Sequence, residues 1–356
     1  MAFRRATVEP GICLCVCMSR SLLGCGWHKR IEINTIRTRS ERKMEITKDT
    51  FVGYRVAVLL PCYNEELSIA EVVRAFATVL PAAVIYVYDN MSTDRTAEVA
   101  LAAGAVVRRE QVPGKGSVVR RMFADIDADI YLMADGDGTY DADAAREMID
   151  LLIAEHLDMV VGTRIGIYDD AHRIGHGAGN RLFNAVYRAL FGPLFKDIFS
   201  GYRIFSRRFI KTFPAVSSGF EIEAEMSVHA SQIRIPIAEF PTKYGARKEG
   251  SQSKLRTFRD AARILWTFFL FFKEIKPLLF FSVVACCLFL LSLLLGVPLA
   301  ITYAQTGLVP RVPTAILSTG LGILGGISMT CGLVLDSVAR GRLENKRLAY
   351  LAQNPL

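Results

Sequence analysis

From Pro277 to Pro310, and again from Val312 to Leu335, the chain carries no Asp, Glu, Lys or Arg. Each run exceeds the roughly 20 residues that a helix needs to cross a ~30 Å hydrocarbon core. Only the stretch from Tyr303 to Pro313 separates the two apolar cores, so they are expected to form a hairpin of transmembrane helices at about 277–303 and 313–336. Lys273 and Lys276 precede the hairpin, and Arg340, Arg342, Lys346 and Arg347 follow it. That excess of cations places both flanks in the cytoplasm. A buried helical hairpin in a soluble protein is the competing reading.

At 356 residues and 51% hydrophobic content, one domain of about 200 residues plus this apolar hairpin accounts for the chain. The expected division is a leader over 1–43, a catalytic domain over 44–253, amphipathic juxtamembrane helices over 254–276, the hairpin over 277–337 and a cytoplasmic tail over 338–356. The net charge of +8 is local: residues 1–43 carry +6, and the stretch from Lys243 to Lys276 carries another +6. A basic stretch ahead of a membrane helix suits anionic lipid or a phosphate ligand. Nucleic acid is not an expected partner, because no zinc spacing, RNA-binding signature or basic-aromatic interleaving accompanies the charge. The leader is expected to be disordered, or to lie upstream of a true start at Met44. Its Cys13, Cys15, Cys17 and Cys25 lack the paired Cys-x-x-Cys of a zinc site, and no disulfides are implied.

From Tyr54 strands and helices alternate. Val56–Leu60, Val84–Tyr88, Ala105–Val107, Ile130–Met133 and Met159–Val161 read as short strands. Helical patterns separate them, over Ser68–Leu80, up to Ala103, Gly116–Ile126 and Asp143–Ala154. Such βαβ repeats give a mostly parallel sheet that takes ligands at the carboxyl ends of its strands.

The polar residues that matter fall at those ends. Strand one runs into Pro61-Cys-Tyr-Asn-Glu-Glu66, strand two into Asp89-Asn-Met-Ser-Thr-Asp94, and strand four into Asp135-Gly-Asp137. Strand alternation would project Asp135 and Asp137 to one side, where they can hold a hard divalent cation against a diphosphate. Pro113-Gly-Lys-Gly116 opens a helix where amides and Lys115 can meet phosphate, although it is not a P-loop. Singly, each motif has an ordinary turn or cap as its alternative; the order and spacing favour a nucleotide site.

With these motifs the chain resembles glycosyltransferase family 2, in the branch of dolichol- and polyprenyl-phosphate sugar synthases (dolichol-phosphate-mannose-synthase-like), over roughly residues 54–275. The resemblance implies a GT-A fold (Rossmann-like, mostly parallel sheet) with interfacial helices and two transmembrane helices, a nucleotide-sugar donor, Mg²⁺ or Mn²⁺, and inversion at the sugar. It assigns Pro61, Tyr63, Glu65, Asp89, Asn90 and Asp135 to the nucleotide sugar, with Asn90 standing where the family usually has a second Asp; Lys115 joins them from its place in the loop before a helix. Asp137, with Asp135, is assigned to the metal. Asp197-Ile-Phe-Ser-Gly-Tyr-Arg203 resembles the family's segment beside the acceptor, and Asp135, Asp137 and Asp197 are the expected catalytic residues.

Arg173, Arg203, Arg247, Ser253 and Lys254 are expected to meet the acceptor phosphate, since cations near a membrane surface suit a lipid phosphate. His172 and His176 read as surface-loop residues. Leu255–Phe272 reads as an interfacial helix with Arg256, Arg259 and Arg263 at helical spacing. A phosphate monoester is largely dianionic at neutral pH, so it needs little general base. The expected reaction is attack of polyprenyl phosphate on the anomeric carbon at the cytoplasmic membrane face, with UDP-sugar favoured over GDP-mannose. The alternatives are a processive synthase, which lacks its Gln-x-x-Arg-Trp motif here, a transferase to another envelope acceptor, and an inactive anchored binding protein. Gly320, Gly322, Gly325 and Gly326 would allow the hairpin to pack against copies of itself.

Overall fold

The computed structural model describes residues 53–165, 194–245 and 269–356, together with Asn184, Ala185, Tyr187, Arg188, Gly192, Arg247, Trp266 and Thr267. The leader, His172, Arg173, His176, Ser253, Lys254 and the arginines of the interfacial segment lie outside the described residues.

The expected alternation is present: β1 (Val56–Cys62), α1 (Ile69–Val79), β2 (Val84–Asp89), α2 (Thr96–Ala102), β3 (Val106–Arg109), α3 (Lys115–Asp125), β4 (Ile130–Met133), α4 (Ala144–Ala154) and β5 (Met159–Ile165). There follow β6 (Arg203–Ser206), α5 (Arg207–Thr212), α6 (Ile222–Ile233), β7 (Ile237–Lys243) and the long helices α7 (Pro277–Thr306) and α8 (Val312–Leu351). The seven strands form one sheet in the order β3-β2-β1-β4-β6-β5-β7. β1 pairs in parallel with β2 and β4, and β5 with β7, whereas β6 lies antiparallel between β4 and β5. Apolar cores cover both faces: Leu59, Tyr131, Met133 and Phe205 on one side, and Val58, Leu60, Leu132 and Ile204 on the other. Burial on both faces explains why the central strands are apolar throughout rather than alternating.

The place of β6 corrects one expectation. Arg203 is not a surface cation awaiting a phosphate; it is fully buried, between Met133 and Val161 in the register of its neighbours. Its guanidinium donates to Ser200 O at 2.8 Å, Ile198 O at 2.7 Å and Ser227 Oγ at 2.9 Å. Burial lowers its pKa. Arg203 thus holds the Ile198–Ser200 turn in place from below.

α7 and α8 are each long and apolar enough to cross a bilayer. Ser292 Oγ donates to Ser318 O at 2.7 Å and Ser318 Oγ to Ser292 O at 2.8 Å, a reciprocal pair that ties the helices together. Gly325 lies against the ring of Phe289 and Gly332 against Phe281, so these two small residues serve the contact inside the hairpin. α8 does not stop where its apolar run ends. The stretch expected as a tail from 338 is the continuation of the same helix to Leu351.

Candidate active site

The loops after β1 and β2 are laced crosswise. Asn64 N donates to Ser92 Oγ at 2.9 Å, and Thr93 N donates back to Asn64 Oδ1 at 2.7 Å. Glu65 N donates to Thr96 Oγ1 at 2.7 Å, and Arg95 N to Glu66 Oε2 at 3.0 Å. Asn64 and Met91 accept positive φ to make these turns. The result is one cross-linked rim in which Cys62, flanked by Pro61 and Tyr63, lies in register with Asp89. Tyr63 is exposed, while Asp89 is buried and accepts from Ser92 N at 3.2 Å.

Asn90 has a structural task alongside the one the resemblance assigns. Its amide donates to Glu110 O and Val112 O at 3.0 and 2.8 Å and accepts from Gly114 N at 2.8 Å. All three partners belong to the chain between β3 and α3, so Asn90 shapes the loop that presents Lys115. A carboxylate there could not donate to the two carbonyls. Gly114 and Gly116 let this loop press on the Ser217–Ser218 backbone, where a Cβ would overlap the carbonyl oxygens.

β4 ends at Met133, so strand alternation does not orient Asp135 and Asp137; each is set by its own partners. Asp135 is paired with the ammonium of Lys115, which also lies 2.5 Å from Glu223 Oε1 on α6. Burial by itself would lower the pKa of Lys115, but the charges of Asp135 and Glu223 outweigh it and raise the pKa above its ordinary value. Burial raises that of Glu223. Gly201 closes the cluster from the β6 side: a Cβ there would lie 3.0 Å from Asp135 Oδ2 and 3.1 Å from Lys115 Nζ. Gly201 N donates to Tyr140 OH at 2.9 Å, which ties the Asp197–Arg203 segment to the Asp135-Gly-Asp137 turn.

Asp137 is buried and accepts from Thr139 N and Oγ1 at 3.1 and 2.6 Å; its other oxygen lies 2.7 Å from Arg247. Gly245 N donates to Thr139 O at 2.8 Å, so the segment carrying Arg247 is stitched to the same turn. Asp197 is gripped by both arms of Arg164, at 2.8 and 2.9 Å, and Arg164 stacks over Tyr244. Burial lowers the pKa of Arg164, but the carboxylate of Asp197 carries it upward overall.

The structure therefore brings Asp135, Asp137, Lys115, Arg247 and Asp197 to the carboxyl ends of the strands. Glu223, Gly201, Arg164 and Tyr140 are the members that motif reading passed over. Gly201 lies inside the Asp197–Arg203 segment that the resemblance picks out, and Glu223 inside the acidic run Gly219-Phe-Glu-Ile-Glu-Ala-Glu225; Arg164 and Tyr140 carried no comparable signal. Among the described residues no cluster of three or more His, Cys, Asp or Glu could hold a metal unaided. Two hard carboxylates, each already facing a cation, nevertheless fit a site that a substrate diphosphate completes.

A mostly parallel sheet with carboxylates and cations interleaved at its strand ends is the architecture of a GT-A glycosyltransferase. The family model of glycosyl transferase family 2 matches residues 57–213. Glycosyltransferase AglJ of Haloferax volcanii is 35% identical over 311 residues, spanning 83% of this chain and 98% of that protein. Dolichyl-phosphate hexose transferase of the same organism is 27% identical over 209 residues, or 59% of this chain and 90% of that one. The fold is shared with glucosyl-3-phosphoglycerate synthase from Mycobacterium tuberculosis, solved with Mn²⁺, uridine-diphosphate and glucosyl-3-phosphoglycerate: TM-score 0.52, 22% identity, 62% of this chain and 81% of that one. The chain belongs to glycosyltransferase family 2.

Proposed function

We propose that this chain transfers a monosaccharide, with inversion, from a nucleotide sugar to polyprenyl phosphate at the cytoplasmic face of the membrane it spans. UDP-sugar is the favoured donor, and the product is a lipid-linked sugar for envelope glycan or lipopolysaccharide modification. The observation that carries the reading is the interleaving at the turn: Asp135 is paired with Lys115, and Asp137 with Arg247, in one chain with an apolar helical hairpin. A relative named as a dolichyl-phosphate hexose transferase supports a lipid acceptor, and a structural neighbour solved with uridine-diphosphate and Mn²⁺ supports the donor and the cation.

In this reading the rim of Pro61, Tyr63, Glu65 and Asp89 holds the nucleoside, and Lys115 meets the diphosphate or sugar beside Asp135. Asp137, assisted by Asp135, would hold Mg²⁺ or Mn²⁺, and the ion would supply positive charge to neutralise a nucleoside diphosphate. Arg247 grips the acceptor phosphate, whose dianion attacks the anomeric carbon. Asp197, fixed by Arg164, orients the acceptor rather than deprotonating it. Arg173, Ser253 and Lys254 complete the acceptor side. The catalytic domain is cytoplasmic, and the protein is a multi-pass protein of the inner membrane, with self-association through the hairpin as a further expectation.

The test is to incubate membranes containing the protein with radiolabelled UDP- and GDP-sugars and extract with organic solvent. Label should enter the solvent phase as a prenyl-phosphate sugar, released by mild acid. Label found only in polymer, or only in protein, overturns the lipid-phosphate reading.

A further inference from the structure

The cytoplasmic part of α8 is docked on the catalytic domain through a buried tyrosine. Tyr350 is 5% exposed and joins the core cluster that includes Phe205, Phe209 and Ile222. Its hydroxyl donates to Asp158 Oδ2 at 2.6 Å. Asp158 is itself buried, immediately before β5, and also accepts from Ser206 Oγ at 2.6 Å and from Arg208 at 3.0 and 2.7 Å. The Arg208 guanidinium lies 4.3 Å over the Tyr350 ring, and Arg347 covers it at 5.3 Å. One turn earlier, Lys346 donates to Gln232 Oε1 at 3.0 Å, and Arg347 to Ile233 O.

Asp336 is the first charge after the apolar run of α8. From Asp336 to Tyr350 a continuous helix rises about 21 Å at 1.5 Å per residue. At its near end the domain has a second attachment: Phe271 and Ile275, just before α7, pack against the same core cluster. A domain held at both points cannot rock about a single linker. The strands tied at Asp158 and Ser206 are β5 and β6, whose other ends carry Arg164, which grips Asp197, and Gly201 beside Asp135.

We propose that Tyr350 is a positioning residue: its bond to Asp158 turns α8 into a strut that holds the catalytic ends of β5 and β6 at a fixed height over the bilayer, and so sets how readily a membrane-embedded acceptor reaches the site. The proposal rests on the lipid-phosphate reading. It concerns the acceptor alone, because neither Tyr350 nor Asp158 touches the donor rim.

The test compares wild type with Tyr350→Phe and Tyr350→Ala in proteoliposomes containing long-chain polyprenyl phosphate, and in detergent with a short-chain prenyl phosphate that diffuses freely. The apparent KM for the embedded acceptor should rise about tenfold in Tyr350→Ala, and less in Tyr350→Phe, which keeps the ring. kcat on the short acceptor and KM for the nucleotide sugar should stay within about twofold of wild type. A parallel loss on both acceptors in protein that still folds, or no change on either, overturns the strut. If wild type itself glycosylates neither acceptor, it is the lipid-phosphate reading that fails. The strut is then judged by energy transfer from a fluorophore at exposed Val216 to labelled lipid head groups, which must show a broader distance distribution in Tyr350→Ala than in wild type. Identical distributions overturn it.

Discussion

Arg247 lies 2.7 Å from Asp137 Oδ2, on the carboxylate that the family assigns to the metal. In the proposed reading a divalent cation would compete with this guanidinium for one buried oxygen, and the same Arg would meet the acceptor phosphate. Replacing Arg247 with Ala should therefore have opposite effects on two substrates. Mn²⁺ should bind more tightly without nucleotide, by roughly fivefold for a partly exposed pair worth about 1 kcal/mol. Use of the acceptor should weaken at the same time. Titration of free Mn²⁺ by its paramagnetic resonance signal checks the first effect; unchanged or weaker binding contradicts the competition.

Asp137→Asn keeps the shape of the side chain and its place beside Thr139 but removes the charge that a hard cation needs. Turnover should fall by at least about a hundredfold with the fold preserved by circular dichroism, and Asp135→Asn should also be severe. Chelator should stop wild-type transfer, and Mg²⁺ or Mn²⁺ should restore it. Transfer that continues in excess chelator would refute the metal-assisted reading.

Gly201→Ala introduces a Cβ 3.0 Å from Asp135 Oδ2 and 3.1 Å from Lys115 Nζ. One of the two ends of that ion pair must shift by a few tenths of an ångström. A displacement at the reacting centre should lower kcat about ten- to a hundredfold, with thermal stability close to wild type. Kinetics at saturating donor separate this from weakened donor binding. Full activity in Gly201→Ala would show that the cluster tolerates movement.

His229 is 2% exposed, edge-on to Phe209 and Phe213 at 5.8 and 5.4 Å, with no hydrogen-bond partner at either ring nitrogen among the described residues. Burial, with a smaller contribution from Lys346, pushes its pKa down from 6.5 to about 3. The folded state therefore binds fewer protons than the unfolded one, so this stability is complete above pH 6.5 and is lost as the pH falls toward 3. Between pH 7.5 and 5.5 the loss from this one group is about 1.4 kcal/mol. Denaturant melts of the detergent-solubilised protein at the two pH values should show it, and His229→Leu should abolish that part of the difference. An unchanged pH dependence in the variant assigns the proton elsewhere.

Motif reading placed the Pro61–Glu66, Asp89–Asp94 and Asp135–Asp137 segments at or just beyond strand ends, where the structure has them, because those signals are local. Asn90 shows where it stopped: the departure from Asp is visible in the chain, but its three bonds to the 110–114 loop are not. Arg203 shows the same limit in the other direction. Ser-Gly-Tyr-Arg looks like a polar loop, and a four-residue strand carries too little periodicity to be told from one.

The chain by itself determined the alternation of strands and helices through Ile165, the carboxylates at the ends of β2 and β4, and the two apolar helices, since each is written in the period or composition of one short segment. Only the tertiary structure decided that β6 runs antiparallel through the middle of the sheet, that Glu223 shares Lys115 with Asp135, and that Tyr350 reaches back 192 residues to Asp158. These are contacts between segments far apart in the chain. They exist because burying a charge or hydroxyl requires a partner, and which partner arrives depends on how the whole sheet and its helices pack.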